Sequence, residues 1–194
     1  SHAKTLGYTP TSARASKAVV DVTLNTNSSS LTMPAGTVFN TAVDGVSYNF
    51  STITDVTKSN TGNSIPFTNI DIYEGTFITT RYSVDSSDVD QRFLLTDNRA
   101  DTTTLTVKVQ TSSSDSTTTT YTKATDITQL TASSNVYFLQ EVEAGVFEIY
   151  FGDGIIGSAL SDGNIIILTY IVSNKSLANG AALFDNAATI ASVS

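Results

Sequence analysis

The chain has no cysteine among its 194 residues. That excludes a disulfide framework, thiol catalysis and thiolate metal sites. Tryptophan is also absent, and the single histidine is His2. Chain ends are poorly tied down, so neither a Ser-His-Asp triad nor a histidine-based metal site is expected. Charged residues make up only 14% of the chain, and the longest apolar run, Ile165 to Leu168, is far too short to span a bilayer. The opening residues carry no basic stretch followed by an apolar one, so no secretory leader is expected within them.

Serine and threonine together exceed a quarter of the residues, a polar-neutral surface shared by secreted β-proteins and by particles that survive outside a cell. Acidic residues outnumber basic ones 18 to 10, giving a formal charge of −8. A field of that sign repels phosphate backbones, so no nucleic-acid partner is expected, and solubility is the plainer use of the charge. The length suits one β-rich domain over residues 1–194, or two small lobes sharing a core. A chain of this size buries roughly 70% of the surface its unfolded form exposes, enough to fold without a metal.

Alternation with period two dominates. Val20, Val22 and Leu24 face one way against Asp21 and Thr23; Leu105, Val107 and Val109 alternate with Thr104, Thr106, Lys108 and Gln110; Phe147, Ile149 and Phe151 alternate with Glu148 and Tyr150. These read as half-buried strands. Shorter candidates are Val46 to Phe50, Ile70 to Tyr73, Thr76 to Tyr82, Arg92 to Leu95 and Val136 to Glu141. Asn164 to Val172 is apolar on both faces apart from Thr169, which fits either a central strand covered on both sides or a strand facing a partner subunit. Turn clusters fall at Asn25 to Ser30, Asp44-Gly45, Ser59 to Asn63, Asp97 to Asp101 and Asp162-Gly163. The Ser/Thr run Thr111 to Thr120 reads as a long hairpin loop before Tyr121. Only Ser12 to Ala18 and Ala181 to Ala188 hint at helix. The expected fold is all-β, a sandwich or barrel-like domain of many short antiparallel strands with long hairpin loops.

Three constellations bear on chemistry. Gly152-Asp153-Gly154-Ile155-Ile156-Gly157 matches the dinucleotide fingerprint letter for letter and follows a good strand. The motif needs a helix starting there to hold the pyrophosphate on its first amides. Here Asp162-Gly163 turns the chain five residues after Gly157 and a β-branched strand follows, so a glycine-rich connection between antiparallel strands is expected and no cofactor. Glu141 and Glu148, on neighbouring strands, are a candidate carboxylate pair for a glycosidase, against the simpler reading of solvated strand-face charges. Asp85, Asp88 and Asp90 share one loop, but their spacing lacks the glycine and glutamate of an EF-hand, so a solvated acidic loop is expected and no metal.

Several segments, in order, carry a family resemblance. Leu6-Gly7-Tyr8-Thr9-Pro10, followed by Ala13, Ala15 and Ala18, opens the series. Pro34-Ala35-Gly36-Thr37-Val38-Phe39 forms a Pro-x-Gly-Thr-x-Phe element, with Tyr48-Asn49-Phe50 after it. Phe147 to Gly154 then gives a Phe-Gly-Asp-Gly signature through Phe151, Gly152, Asp153 and Gly154, followed by Gly157, Gly163-Asn164 and a strand through Tyr170. Leu177-Ala178-Asn179-Gly180-Ala181 closes it. In these segments the chain resembles the central region of the baseplate wedge subunit of T-even-type myophages and, more distantly, baseplate J-like proteins. Asn60 to Ala132 carries no such segment. Family members carry a helical segment before this region and further domains after it, so an excised piece or a shortened relative is expected.

The resemblance implies a structural component of the phage tail baseplate in the virion, bound to other baseplate proteins and to copies of itself, without turnover, cofactor or membrane. Ile166 and Leu168, taken as outward-facing, and exposed sheet edges are the expected contact elements. The alternative is a β-sandwich adhesin or carbohydrate-binding module using Tyr73, Phe77 and Tyr82 as a sugar platform, weakened by the absence of tryptophan.

Overall fold

The computed structural model describes residues 11–143, 145–174, 183–186 and 190. The expected segments Leu6 to Pro10 and Leu177 to Ala181, and His2, lie outside the described residues. The protein is all-β: β1 (Lys17–Asn25), β2 (Ser30–Met33), β3 (Val38–Val43), β4 (Val46–Ser51), β5 (Val56–Ser59), β6 (Ser64–Glu74), β7 (Thr76–Ser83), β8 (Phe93–Leu95), β9 (Ala100–Gln110), β10 (Thr118–Lys123), β11 (Val136–Glu143), β12 (Val146–Phe151), β13 (Ile165–Val172) and β14 (Asp185–Asn186). One 3-10 turn, Ile127–Gln129, is capped by Asp126, whose carboxylate accepts from Thr128 N.

The chain divides into two compact units. Unit 1 is Thr79–Thr169 with the described residues before Arg14; unit 2 is Arg14–Ile78 with those from Tyr170 onward. The chain passes from one to the other within β7 and within β13.

Unit 2 is built on a five-stranded sheet in the order β1-β6-β4-β3-β14, beside a two-stranded β2-β5 ribbon. Leu24, Met33, Phe39, Phe50, Ile65, Phe67, Ile72 and Ile190 form its core. The even-numbered residues of β1 face this core while Lys17, Val19, Asp21 and Thr23 stay exposed, as the alternation requires. Phe39 on β3 and Val20 on β1 line one groove although β6 and β4 lie between their strands, so the sheet curls back on itself. Between the pairs Val20↔Ile70 and Val22↔Phe67, β6 carries an extra residue opposite Asp21. Asn69 takes φ +56° in this bulge and donates its N–H to Asp21 Oδ1 at 2.7 Å.

The hairpin from β3 to β4 closes through Asp44 (φ +50°) and Gly45 (φ +78°), a two-residue turn whose twist suits the flanking strands. A Cβ on Gly45 would meet nothing within 4 Å. Gly45→Ala is therefore expected to cost only the left-handed backbone strain, about 1 kcal/mol. Urea unfolding checks this, and no change in midpoint would count against it.

Unit 1 contributes to a seven-stranded sheet in the order β7-β13-β9-β10-β11-β12-β8. β9 and β10 form the expected hairpin, with Gln110 opposite Thr118, so Thr118 to Thr120 join the strand and the Ser/Thr loop shortens to Thr111–Thr117. β10 and β11 run parallel, unlike the other unit 1 pairs described by register, because the long excursion through the 3-10 turn returns the chain in the same sense.

Four expectations are corrected. Ser12 to Ala18 is not helical: the chain has no regular structure up to Ser16 and β1 begins at Lys17, and Ser12 Oγ accepts from Thr102 N at 3.0 Å. Within Ala181 to Ala188, the described Asp185–Asn186 pair with β3 as a strand. In β9, Thr104 is buried and Leu105 only half-buried, because the Thr104 hydroxyl is satisfied by Asp101 O at 2.7 Å. Finally, Ile166 and Leu168 are both 0% exposed. β13 lies between β7 and β9 as a central strand, with Ile166 and Leu168 on its buried face and Ile165 and Ile167 half-buried on the other, so neither Ile166 nor Leu168 is an outward-facing contact.

Candidate functional site: the glycine-rich connection after β12

β12 ends at Phe151, whose ring meets Phe93 at 5.9 Å and Tyr121 at 5.5 Å, edge to face in both cases. No helix follows. Gly152 instead forms a parallel bridge with Ala159, so the chain doubles back within a few residues. A Cβ at Gly152 would lie 2.2 Å from the carbonyl carbon of Gly157, which leaves no room for any side chain. Asp153 Oδ1 accepts from Ile155 N and Ile156 N, both at 2.9 Å. Those amides, Ile156 first, hold the Asp153 carboxyl below its ordinary range. Gly154 N donates to Gly157 O at 3.0 Å, closing the turn.

A second loop pins this one. Gly157 N donates to Thr131 O at 3.0 Å and Ser158 N to Ser134 O at 2.8 Å. The amides of Gly154 to Ser158 are thus all used within the protein, and none of these is set out as a phosphate cradle. The strands it links are not neighbours, because β11, β10 and β9 separate β12 from β13 in the sheet. Gly163 sits at a separate turn, where its N–H donates to Val84 O at 2.9 Å. Pro34 and Gly36 belong to unit 2: Thr37 N donates to Pro34 O at 3.2 Å across a turn with Gly36 at φ +81°, the type II pattern.

The carboxylate candidates do not converge. In the β11·β12 register Gln140 faces Glu148 and Glu141 faces Phe147, so Glu141 and Glu148 lie on opposite faces of the sheet. Glu141 Oε1 accepts from Gly145 N at 2.9 Å. Glu148 is not a solvated charge but 5% exposed, and two donors hold it. Arg92 reaches it with Nε at 3.1 Å and Nη2 at 2.5 Å, and the Tyr150 hydroxyl donates to Oε2 at 2.9 Å. The Arg92 guanidinium keeps the Glu148 carboxyl below its ordinary range, while that carboxylate raises the Tyr150 phenol. Arg92 is 56 positions away from Glu148, so no local spacing could have paired them.

This pair makes stability depend on pH. Because the folded protein favours ionised Glu148, the contribution is complete above the unfolded carboxyl range and is lost as pH falls through the lower folded one. Arg92→Ala is expected to widen its stability deficit toward neutral pH and narrow it in acid. Urea midpoints of both proteins across that range check this, and a deficit constant with pH would refute it.

Asp85 and Asp88 are spent on their own loop. Asp85 Oδ1 accepts from Ser87 N at 2.9 Å and Ser87 Oγ at 2.6 Å, and Asp88 Oδ1 from Asp90 N at 3.0 Å. Among the described residues no group of three carboxylates or histidines is placed to hold a metal. The three aromatics are each engaged: Tyr82 donates to Leu94 O at 2.8 Å, Lys17 lies over the Tyr73 ring, and Phe77 packs where a Cβ on Gly36 would fall.

Residues 78–182 match the family model of the third domain of bacteriophage baseplate wedge protein gp6, more than half of the chain. The chain belongs to that family. Among curated proteins, none matches it. Membership in the gp6 third-domain family places the chain in the tail baseplate of a phage virion. The gp6-type match contains the Phe151 to Gly163 signature and also Thr79 to Ala132, where the sequence shows no motif. It does not extend to Pro34 and Gly36.

Proposed function

We propose that this gp6 third-domain chain is one module of the baseplate wedge, acting by surface complementarity without turnover or cofactor, and bound to other wedge proteins and to copies of itself. The carrying observation is the family match together with the character of its signature. Within Phe151 to Gly157 the amides of Gly154, Ile155, Ile156 and Gly157 are all bonded inside the protein, and the Asp153 carboxylate is held by two of them. What the scaffold presents is apolar: Ile155 is 76% exposed and Ile156 44%. Rigidly held exposed isoleucines are surface that assembly covers. They take the place of Ile166 and Leu168 among the contact candidates of this unit.

Immunogold labelling of whole phage with antibody against this chain tests the reading. Label at the distal end of the contractile tail, in several copies per particle, is expected. Intact virions that carry no label there would overturn it.

A further inference from the structure

Three Asp-Gly pairs occur in the chain: Asp44-Gly45, Asp153-Gly154 and Asp162-Gly163. In such a pair the glycine nitrogen can attack the carboxyl carbon before it, because no Cβ on the glycine stands in the way. Two conditions govern the attack. Both reacting groups must be free of hydrogen bonds. The aspartate must also reach a ψ that brings the nitrogen over Cγ, about −120°, the value at the first central residue of a type II′ turn.

Two pairs fail the first condition. The Asp153 carboxylate accepts from Ile155 N and Ile156 N, both at 2.9 Å, and its nucleophile Gly154 N donates to Gly157 O at 3.0 Å. Asp162 Oδ1 accepts from Ser86 N at 2.9 Å and Ser86 Oγ at 3.1 Å, and Gly163 N donates to Val84 O at 2.9 Å. Reaction at either pair requires those bonds to open first.

Asp44-Gly45 is different. Both residues are exposed, and among the described residues neither the Asp44 carboxylate nor Gly45 N has a hydrogen-bond or ion-pair partner. The φ values of +50° and +78°, with Val43 opposite Val46, are those of a type I′ turn. Types I′ and II′ differ by a flip of the one peptide plane between the central residues. The flip takes the first ψ from about +30° to about −120° and reverses the sign of the second φ, leaving the flanking strands in register. Glycine accepts either sign. A Cβ on Gly45 would meet nothing within 4 Å, so no neighbour opposes the motion.

We propose that Asp44 is a site of spontaneous isoaspartate formation in the folded protein. Gly45 N bonds to Asp44 Cγ, the Cγ–OH bond of the neutral acid breaks, and the hydroxyl leaves as water with the amide proton. Water then opens the cyclic imide at one of its two carbonyl carbons. Opening at Cγ restores aspartate. Opening at the main-chain carbon breaks its bond to Gly45 N and leaves the chain running through Cβ and Cγ, with a free α-carboxylate. The turn gains one main-chain atom, and the net charge is unchanged. A connection lengthened in this way no longer suits a two-residue hairpin. The exposed α-carboxylate is the group that an isoaspartyl methyltransferase esterifies.

The test ages the full chain in warm buffer near neutral pH, once folded and once in urea. The chain is then digested, and isoaspartate is located by enzymatic methylation of the separated peptides. In the folded chain Asp44 should convert at least about tenfold faster than Asp153 and Asp162, which must first break hydrogen bonds. In urea the three rates should converge. Asp44→Asn suits the same turn position and loses ammonia in place of water, so it should convert faster still and release ammonia. Equal conversion of the three pairs in the folded chain would overturn the proposal. So would conversion of Asp44 in urea alone, or an Asp44→Asn variant that ages without isoaspartate at that position. Virion labelling bears on none of these outcomes, so the assembly reading stands or falls separately.

Discussion

Replacing Ile166 with lysine should leave unit 1 unfolded or insoluble. Ile166 is 0% exposed, in a strand flanked by β7 and β9, so the ammonium would enter the sheet interior with no partner. An uncompensated buried charge costs about 3–5 kcal/mol, and the lost isoleucine packing adds about 2 kcal/mol or more. Set against a total of roughly 5–15 kcal/mol for a domain, that is enough to remove the native state. Circular dichroism and size-exclusion chromatography of Ile166→Lys beside Ile155→Lys make the comparison. The exposed position should accept the charge with a fold like the parent's, and the buried one should not. Two equally folded variants would mean that β13 is a surface strand after all.

Gly152→Ala should be nearly as damaging, for a different reason. Its added methyl meets the Gly157 backbone at 2.2 Å from the carbonyl carbon and 2.3 Å from the oxygen, and a main chain cannot rotate aside as a side chain does. Relief requires breaking the Gly152–Ala159 bridge or the Gly157–Thr131 bond, and overpacking of this kind costs about 3 kcal/mol. Urea unfolding and exchange of the Gly157 amide measure the two parts. Gly154→Ala provides the contrast: its nearest neighbour is Ala159 Cβ at 3.7 Å, so only the strain of φ +84° remains. If the two variants lose the same stability, the close approach at Gly152 is not what the signature preserves.

Local pattern was legible wherever one face of a strand meets a core and the other meets water. Val20, Val22 and Leu24 alternate with exposed neighbours in β1, and the Asp44-Gly45 turn needs its positive φ pair. Legibility ended where burial depended on a distant partner. Glu148 looked like a solvated charge because Arg92, which neutralises it, comes from β8's side of the sheet. Ile166 and Leu168 read equally as core or interface, since a strand covered on both faces has the same composition whichever chain covers it. The Phe-Gly-Asp-Gly signature was visible as a string, but the Thr131 and Ser134 carbonyls that pin the loop after it lie more than twenty positions before the Gly157 and Ser158 amides they hold, in a loop of ordinary polar residues.

The order of the two units along the chain bears on how the protein is made. Unit 2 needs Phe184 and Ile190 to complete a core begun by Leu24 and Met33, whereas most of unit 1 is the single stretch Thr79–Thr169. A ribosome delivers that stretch first. Vectorial synthesis thus leaves the earliest strands, β1 to β6, waiting with their apolar faces incomplete while the later-made unit closes ahead of them. The usual N-terminal-first sequence of domain folding is inverted. The apolar faces of Val20, Val22 and Leu24 are most exposed to wrong partners in that interval, before the last residues of the core arrive.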